Sequence, residues 1–285
     1  MEILRTVAEL QEWSRANRQA SSKHQGYAIG LVPTMGALHE GHASLIRAAR
    51  RSCAQVAVSI FVNPTQFGPN EDYARYPRTF DADCTLAKSE GADVIFAPTV
   101  EELYPVDAAT FVEVGGLSNR LDGASRPGHF RGVATVVTKL LIAAEPDRAF
   151  FGQKDAAQVS VLRRMVTDLR LATEIVVCPI VRESDGLALS SRNAYLNPNE
   201  RAQALTLSRA IRKVESLVAG GERCAGALIA AAREIFATEP AVHVDYIELV
   251  DWETLLPANT AAPGTLLAVA AWVGPTRLID NTIIL

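Results

Sequence analysis

Two histidines that follow a short apolar run are the residues of this chain whose type and spacing best suit chemistry. The run covers residues 27–32, and His39 and His42 come after it beside Gly36 and Gly41. Histidines three positions apart share one face of a helical turn, and the first turn of a helix offers unpaired N–H groups and the positive end of the helix dipole. Because imidazole N–H groups donate to phosphate oxygens, the pattern predicts a strand, a turn and a helix start that bind a polyanion.

Two other interpretations of this histidine pair are weaker. A lone histidine is usually a loop cap or a satisfied core residue, with His39 in the first role and His42 in the second. Here the pair follows a buried-type strand and stands beside two glycines, which let a backbone or a ligand approach closely. A zinc site is less favoured, because the metalloprotease spacing His-Glu-x-x-His is one residue longer.

A second segment, residues 151–158, repeats this layout of strand end, glycine, polar groups and helix. It contains Gly152, Gln153, Lys154, Asp155 and Gln158. Lys154 supplies a compact cation that suits a phosphate. Asp155 is as well suited to capping the helix as to contacting a ribose or a metal. Gln158 lies one turn further along and can face the same cleft as Lys154.

A third segment, residues 182–193, contains Ser190, Ser191 and Arg192. Two hydroxyl groups followed by a guanidinium are donors of the kind that hold a phosphoryl group. Taken alone, the segment is better explained as a serine-rich linker with a helix cap. Combined with the histidine pair, the phosphate interpretation is favoured.

Two glutamines that follow predicted strands suggest which chemical class the substrate belongs to. Gln66 follows the second predicted strand, as Gln158 follows the fourth. A carboxylate paired with arginine loses nucleophilicity, because its charge is neutralised. A carboxylate oriented by neutral amides keeps its charge for attack. Gln66 and Gln158 are therefore suited to a carboxylic acid that is itself the nucleophile, although either can equally be a surface residue.

Further charged residues have roles that the sequence leaves open. Asp81 and Asp83 stand at a predicted helix start, where carboxylates either contact magnesium or simply favour the helix dipole. Arg126 and His129 belong to a glycine-bracketed basic loop, residues 126–133, which either binds an anionic end of a substrate or braces the site.

Alternation of strand-like and helix-like segments predicts the architecture that positions these residues. Short runs rich in valine, isoleucine and phenylalanine predict buried strands at 28–33, 55–62, 94–97, 148–151 and 175–181, with helices at 6–20, 43–52, 80–90, 132–144 and 156–169. This order predicts an α/β fold, a Rossmann-like doubly wound parallel sheet with ligands at the carboxyl ends of its strands. Two helices at 199–219 and 222–238 and strands at 242–250, 266–273 and 277–285 predict a second, smaller α+β C-terminal domain, so the domains are 1–183 and 184–285.

Composition narrows the class of protein. A formal net charge of −4 and a pI near 5.8 argue against nucleic-acid binding. The apolar run at 266–273 is too short to span a membrane, and the charged start of the chain does not resemble a secretory signal. Four scattered cysteines suit reduced thiols in a cytoplasmic protein better than disulfides or a metal site.

Six segments taken in order resemble the pantoate–β-alanine ligase (pantothenate synthetase) family of the His-x-Gly-His nucleotidyltransferase superfamily. They are Pro33-Thr34-Met35-Gly36-Ala37-Leu38-His39-Glu40-Gly41-His42, Phe61-Val62-Asn63-Pro64-Thr65-Gln66-Phe67, Tyr76-Pro77-Arg78-Thr79, residues 126–133, Phe151-Gly152-Gln153-Lys154-Asp155 and Ser190-Ser191-Arg192-Asn193. The matches span residues 27 to 196 and are jointly specific; the last third of the chain adds no motif of its own.

The resemblance implies two half-reactions. Pantoate attacks the α-phosphate of ATP and releases pyrophosphate, and the amine of β-alanine then attacks the pantoyl adenylate and releases AMP. It also implies Mg²⁺ on the phosphates, with Asp83 as a candidate metal contact, and a homodimer. Because an acyl adenylate hydrolyses readily, we expect the C-terminal domain and the polar loop 67–79 to close over the nucleotide.

The resemblance assigns roles residue by residue. His42 is the general acid in family descriptions, and His39, Lys154 and Arg192 are expected to stabilise the developing charge. Gln66 and Gln158 are expected to hold pantoate, and Gln66 to touch β-alanine. Family members often have isoleucine or a similar residue at the position of Glu40, so that carboxylate is expected to point away from the phosphates. The residues expected to contact ATP are Met35, Gly36, Ala37, Leu38, His39, Glu40, Gly41, His42, Gly152, Gln153, Lys154, Asp155, Val181, Leu189, Ser190, Ser191 and Arg192.

Two rival functions are compatible with the same motifs. One is another nucleotidyltransferase, a cytidylyltransferase or an adenylyltransferase, which releases a stable nucleotidyl product and needs no amine acceptor. The other is a nucleotide-binding regulatory module without catalysis, which has no need of all six of His39, His42, Lys154, Ser190, Ser191 and Arg192.

Overall fold

The computed structural model describes residues 1–21, 27–69 and 71–285. These residues form two compact units, the first made of Met1–Gly152 and Val161–Pro179 and the second of Gln153–Ser160 and Ile180–Leu285. The sequence predicts a division between residues 183 and 184. The main difference is the short segment Gln153–Ser160, which groups with the later part of the chain. Among the described residues no helix has both the length and the apolar character needed to cross a membrane.

The first unit is a parallel six-stranded sheet with helices in its connections, as the sequence predicts. Its strands run in the order β1-β4-β3-β2-β5-β6. All five neighbouring pairs are parallel. The strands are β1 (Glu2–Leu4), β2 (Tyr27–Thr34), β3 (Cys53–Ile60), β4 (Val94–Phe96), β5 (Arg148–Gly152) and β6 (Glu174–Cys178).

Seven α-helices lie between these strands along the described part of the chain. They are α1 (Val7–Ser21), α2 (Glu40–Ser52), α3 (Phe80–Ser89), α4 (Val100–Leu103), α5 (Asp122–Ser125), α6 (His129–Ala144) and α7 (Ala156–Asp168), of which α7 begins in the second unit. Strands β2 and β3 carry fully buried residues at successive positions, such as Leu31–Val32 and Val56–Val58. Burial on both faces explains why they are continuous apolar runs and not alternating ones.

The second unit is smaller and mixes helices with antiparallel strands, again as predicted. Helices α8 (Pro198–Ala219) and α9 (Ala225–Ala237) precede β7 (Val242–Asp251), β8 (Thr265–Val273) and β9 (Thr276–Ile283), which form a sheet in that order. Buried apolar residues from both helices and all three strands make one core, including Leu207, Leu228, Ile247, Val269 and Leu278. Helix α8 begins with a capping box in which Asn197 and Glu200 satisfy each other's backbone N–H groups.

The sequence-based boundaries differ from the structure in a few places. Strand β1 and the short helices α4 and α5 are not anticipated, because segments of three or four residues carry little periodic signal. Helix α6 begins at His129, three residues before the predicted start. The predicted loop 67–79 contains a short 3-10 helix, Asp72–Ala74; its Asn70 lies outside the described residues. Whether this loop or the second unit covers a nucleotide stays a prediction.

Candidate functional site

The turn after β2 is held in a left-handed conformation. Gly36 has a φ of +85° and Ala37 a φ of +50°, values that favour glycine. Thr34 stabilises the start of the turn, because its Oγ1 donates to the carbonyl of Ser59 at 2.6 Å and accepts from the N–H of Gly36 at 3.2 Å. The turn thereby directs the chain from the carboxyl end of β2 into α2.

Asp83 on α3 binds the next part of this turn. Its two carboxylate oxygens accept the backbone N–H groups of Ala37 at 2.9 Å and Leu38 at 2.8 Å, and Oδ1 also accepts from Thr79 Oγ1 at 3.0 Å. The side chain is only 2% exposed. Asp83 therefore braces the left-handed turn, and no group of three or more His, Cys, Asp or Glu residues suited to a metal occurs in the described part of the chain. The magnesium contact proposed from the sequence stays a prediction.

Replacement of Asp83 by asparagine is expected to lower the free energy of unfolding by about 1–3 kcal/mol, because an amide presents N–H groups where the turn supplies donors. The measurement is urea unfolding without ATP and without Mg²⁺. Asp81→Asn is the matched control, since Asp81 is exposed on the same helix turn. A metal role alone predicts no loss of stability under these metal-free conditions.

Both histidines are held at the N-terminus of α2 by their Nδ1 atoms. His39 is the N-cap residue, and its Nδ1 accepts the N–H of Gly41 at 3.1 Å; Nδ1 of His42 accepts the N–H of His39 at 3.2 Å. An accepting Nδ1 carries no proton, so in each neutral ring the proton is on Nε2. The two ring centroids are 4.2 Å apart. The pair thus combines the capping role with two Nε2–H groups that suit phosphate oxygens.

Glu40 stands between the two histidines in the sequence, and its side chain binds an arginine of the same helix. Its carboxylate forms an ion pair with Arg47, which also pairs with Glu90 at 2.8 Å. The Glu40 side chain is 56% exposed. Arg47 is therefore paired on the helix surface, as Arg50 is with Asp93 at 2.7 Å.

The side chain of Gln66 is fixed at both ends. Asn63 Nδ2 donates to Gln66 Oε1 at 3.1 Å, and Gln66 Nε2 donates to Met35 Sδ at 3.0 Å. Asn63 is buried, and its Oδ1 also accepts from Thr65 Oγ1 at 2.9 Å. An amide has two N–H groups and two acceptor lone pairs, so each end of Gln66 has capacity for a ligand. The Met35 contact joins Gln66 to the turn that leads to the histidines.

The backbone of Gln66 is held by His129, the first residue of α6, which is in turn bound by Arg126. Nδ1–H of His129 donates to the Gln66 carbonyl at 2.8 Å, and Nε2 accepts from Arg126 Nη1 at 3.0 Å. Arg126 in turn forms a two-pronged ion pair with Glu71, at 2.7 and 2.5 Å. Gly132 permits this approach, since a Cβ there would lie 2.2 Å from the Thr65 carbonyl oxygen. Of the two roles left open for Arg126 and His129, the bracing role is present.

Burial and, secondarily, the Arg126 charge lower the pKa of His129 from 6.5 to about 4. The imidazole is therefore neutral near pH 7. As the pH falls below about 6.5, the unfolded chain takes up this proton before the folded chain does, so stability falls between about pH 6.5 and pH 4, by on the order of 3 kcal/mol.

His129→Gln is expected to remove most of this acid-dependent loss, because glutamine can donate and accept without titrating. The measurement is the free energy of unfolding from pH 7 to pH 5, with His243→Gln on an exposed position of β7 as the control. Equal pH dependence in the His129 variant and the unchanged protein would contradict the neutral, buried assignment.

A pocket of about 220 Å³ lies beside Gln66 within the first unit. Its walls include Gln66, Phe111, Arg126, His129 and Arg131. Arg131 lies over the Phe111 ring with its guanidinium carbon 4.0 Å from the ring centroid. Glu71 also lines the pocket and pairs with Arg126. The pocket thus offers the Arg131 guanidinium near Gln66, whose amide has remaining hydrogen-bonding capacity.

In the second unit, Lys154 lies in a short 3-10 turn, Gln153–Asp155, between β5 and α7. Its Nζ lies 3.3 Å from Asp155 Oδ1, and its side chain is 21% exposed. Gln158 follows in the first turns of α7 and is half-buried. Strand β5, which precedes this turn, pairs in parallel with β2 in the sheet of the first unit.

The remaining predicted nucleotide contacts lie on a hairpin-like segment of the second unit. Leu189 N donates to the Val181 carbonyl at 3.0 Å. Ser190 caps the following 3-10 helix, Ser191–Tyr195, by accepting the N–H of Arg192 at 3.3 Å. Ser190 thus caps this 3-10 helix, whereas the cap expected before the helix near residue 199 is supplied by Asn197. The phosphate-binding role of the segment stays a prediction.

The predicted site residues fall into two groups, one in each unit. The first unit brings together Met35, Gly36, Ala37, Leu38, His39, Glu40, Gly41, His42, Gln66 and Asp83. The second contains Gln153, Lys154, Asp155, Gln158, Val181, Leu189, Ser190, Ser191 and Arg192, and Gly152 ends the first unit's β5. The bracing by Asn63 was not predicted, whereas bracing was one of the two roles that the sequence left open for His129. An asparagine directly before Pro64 and a histidine between glycines were the available signals.

Comparison with known proteins gives consistent matches over the whole chain. The family model described as "Pantoate-beta-alanine ligase" matches residues 2–283. A pantothenate synthetase of Acidobacterium capsulatum is 62% identical over 257 residues, 90% of this chain and 86% of that protein. One from Koribacter versatilis is 55% identical over 284 residues, 100% of this chain and 96% of the relative.

Solved structures agree with these sequence matches. The crystal structure of pantothenate synthetase from Thermus thermophilus has a TM-score of 0.91 and 45% identity, covering 100% of this chain and 99% of that one. Pantoate-β-alanine ligase from Francisella tularensis, complexed with β,γ ATP and β-alanine, has a TM-score of 0.79 and 33% identity, covering 99% and 97%.

Proposed function

The chain belongs to the pantoate–β-alanine ligase family, and from that membership we propose that it condenses pantoate with β-alanine at the expense of ATP. Pantoate is first converted to pantoyl adenylate with release of pyrophosphate, and β-alanine then displaces AMP to give pantothenate. The observation that carries the proposal is the hydrogen bond between Gln66 and Met35. It joins an amide suited to an organic acid to the turn that leads to His39 and His42.

In the first half-reaction the carboxylate of pantoate attacks the α-phosphorus of ATP. We assign Gln66 and Gln158 to pantoate, because neutral amides orient a carboxylate without neutralising its charge. In-line attack at phosphorus depends mainly on positioning and on charge stabilisation. The held amide of Gln66, fixed by Asn63 and Met35, meets the first requirement.

The second requirement is met by donors to the phosphate oxygens. We assign this role to the Nε2–H groups of His39 and His42 and to Lys154 and Arg192, with His42 donating a proton to the leaving group. The remaining ATP contacts proposed are the backbone and side chains of Met35–Gly41, Gly152, Gln153, Asp155, Val181, Leu189, Ser190 and Ser191. The N-terminus of α2 favours the same anion through its N–H groups and dipole.

In the second half-reaction the amine of β-alanine attacks the acyl carbon of the adenylate, and AMP leaves. We propose that β-alanine occupies the pocket beside Gln66. The pocket adjoins the amide assigned to pantoate, so the amine and the acyl carbon are close, and Arg131 supplies a cation that suits the β-alanine carboxylate.

Magnesium is proposed to arrive with the nucleotide as MgATP. The described residues form no cluster of three or more metal-binding side chains, and both oxygens of Asp83 accept hydrogen bonds from the turn. The residues present do not build a protein cage for the ion. Mg²⁺ commonly uses phosphates and water instead, and no step here is assigned to a protein-bound metal.

The assembly and location of the protein are proposals of the same kind. We propose a homodimer in the cytoplasm, as the family resemblance implies. All four cysteines are free thiols, which suits a reducing compartment. Light scattering at several protein concentrations tests the dimer, since a mass of one chain throughout would contradict it.

The test of the reaction is product formation from defined substrates. The protein is incubated with ATP, Mg²⁺, pantoate and β-alanine, and AMP and pantothenate are expected in equal amounts. Omission of either pantoate or β-alanine is expected to abolish pantothenate formation. Appearance of a stable nucleotidyl product that ignores β-alanine would instead support the cytidylyl- or adenylyltransferase alternative.

A further inference from the structure

A buried asparagine near the end of the chain binds the turn that carries Lys154. Asn281 on β9 is 4% exposed. Its Nδ2 donates to the carbonyl oxygens of Gln153 at 3.0 Å and Lys154 at 2.8 Å, and its Oδ1 accepts from Gln153 Nε2 at 3.2 Å. These residues all belong to the second unit. One side chain thus makes three hydrogen bonds to two successive residues.

These hydrogen bonds fix the backbone of Lys154 itself, because one of them is made to its own carbonyl oxygen. A primary amide has two N–H groups, and here both are used on adjacent carbonyls. Two carbonyls bound by one planar group leave the peptide plane between them little freedom to rotate. Because lysine is a flexible chain that ends in a point charge, the direction in which it reaches depends on that backbone.

Asn281 is itself anchored by a sheet and an ion pair. It pairs with Ala268 in the β8–β9 ladder, and its N–H donates to Asp280 Oδ1 at 2.8 Å. The Asp280 carboxylate is 2% exposed and accepts from Arg182 Nη1 at 2.6 Å and Nη2 at 2.9 Å. The amide therefore projects from a rigid element, which is a suitable support for a site residue.

We propose that Asn281 is a positioning residue of the nucleotide site, which acts by holding the Gln153–Lys154 backbone so that the Lys154 ammonium reaches the phosphates. The proposal rests on the proposed binding of ATP by Lys154. It assigns a role in the reaction to the last strand of the chain, a part of the sequence in which no functional motif was recognised.

A purely structural role predicts a different pattern. If Asn281 only stabilised the fold, its loss would weaken ligand binding by the same factor whether or not Lys154 is present. If it acts through Lys154, its loss has little further effect once the ammonium is removed. A double-mutant cycle separates the two, because residues that act together give non-additive changes.

The experiment measures the affinity of the full-length protein for α,β-methylene ATP with Mg²⁺ by calorimetry. Four proteins are compared: the unchanged chain, Asn281→Ala, Lys154→Ala and the double variant. Since the loss of a hydrogen bond from a charged group weakens binding by roughly ten- to a hundredfold, we expect Asn281→Ala, which leaves the ammonium less well placed, to weaken binding about tenfold. In the Lys154→Ala background the same change is expected to weaken it less than about threefold.

Thr282→Val is the matched control. Thr282 is the next residue on β9, and its Oγ1 donates to Glu215 on α8 at 2.7 Å, so the change removes a hydrogen bond of the same strand without touching the Lys154 turn. Its affinity is expected to equal that of the unchanged protein. Asn281→Ser retains one donor and replaces Asn281→Ala in the cycle should the alanine variant fail to fold; it is expected to weaken binding by a smaller factor.

Equal weakening by the Asn281 change in both backgrounds, or no weakening in either, overturns the proposal. Failure of the proposed function gives a different result, because it is read from pantoate-dependent turnover of the unchanged protein. If the double-mutant cycle shows coupling but the unchanged protein has no pantoate-dependent turnover, the ligase assignment is contradicted and the positioning role of Asn281 is supported.

Discussion

Replacement of His42 by alanine is expected to lower the rate of pantoyl-adenylate formation by about a hundredfold or more. The Nε2–H of His42 is assigned to the developing charge at the phosphates, and removal of one such preorganised donor typically costs two to three orders of magnitude in rate. The measurement is a single-turnover experiment that follows pyrophosphate release with enzyme in excess over ATP. Binding of ATP is measured separately, so that a loss in rate is distinguished from a loss in affinity.

Two further variants isolate the chemical role of His42 from its capping role. Nδ1 of His42 accepts the N–H of His39, and an asparagine at this position offers an acceptor oxygen but no equivalent of Nε2–H. His42→Asn is therefore expected to retain more stability than His42→Ala and to remain slow. His243→Ala, at an exposed position of β7, should leave the rate unchanged. Near-normal pyrophosphate release by both His42 variants would remove this residue from the mechanism.

Replacement of Lys154 by methionine is expected to cause the second large loss, again about a hundredfold in adenylation rate. Methionine keeps most of the apolar stem and removes the ammonium, so the change reports the charge that stabilises the phosphates. Lys154 is partly buried and lies in a turn held by Asn281, so its position is defined before ATP binds. The measurement is the same single-turnover pyrophosphate release.

Lys154→Arg and Lys213→Met provide the comparison for this result. Arginine keeps the charge but presents a planar fork in place of a compact ammonium, so we expect partial recovery only. Lys213 lies exposed on α8 in the same unit, and its loss should not alter the rate. Full activity of Lys154→Met would show that this ammonium does not contact the phosphates in the transition state.

Sequence reasoning predicted the fold well where buried strands and amphipathic helices were long. Strands β2 and β3 were found because their apolar runs are buried on both faces, and helices α8 and α9 because Gly220-Gly221 separates two clear periodic patterns. The short strand β1 escaped, since three residues cannot show a period.

The parts of the site that depend on tertiary contacts were not predictable in the same way. For Asp83 the sequence leaves a magnesium contact and a helix-dipole partner both open, because a carboxylate at a helix start has several uses. Only the fold shows that its oxygens accept N–H groups from residues 37 and 38, over forty positions earlier. Asn281 gave no signal at all, because it binds a turn that lies 127 positions away in the chain. Local patterns identify the residues that meet a ligand more readily than the residues that hold them.

Exchange of labelled pyrophosphate into ATP tests the central claim most directly, because it requires reversible formation of an adenylate. With ATP, Mg²⁺ and pantoate, and without β-alanine, the protein is expected to catalyse exchange that disappears when pantoate is omitted. Exchange that proceeds equally well without pantoate, or no exchange when pantoate is present, would contradict the assignment of this site to an acid-activating ligase.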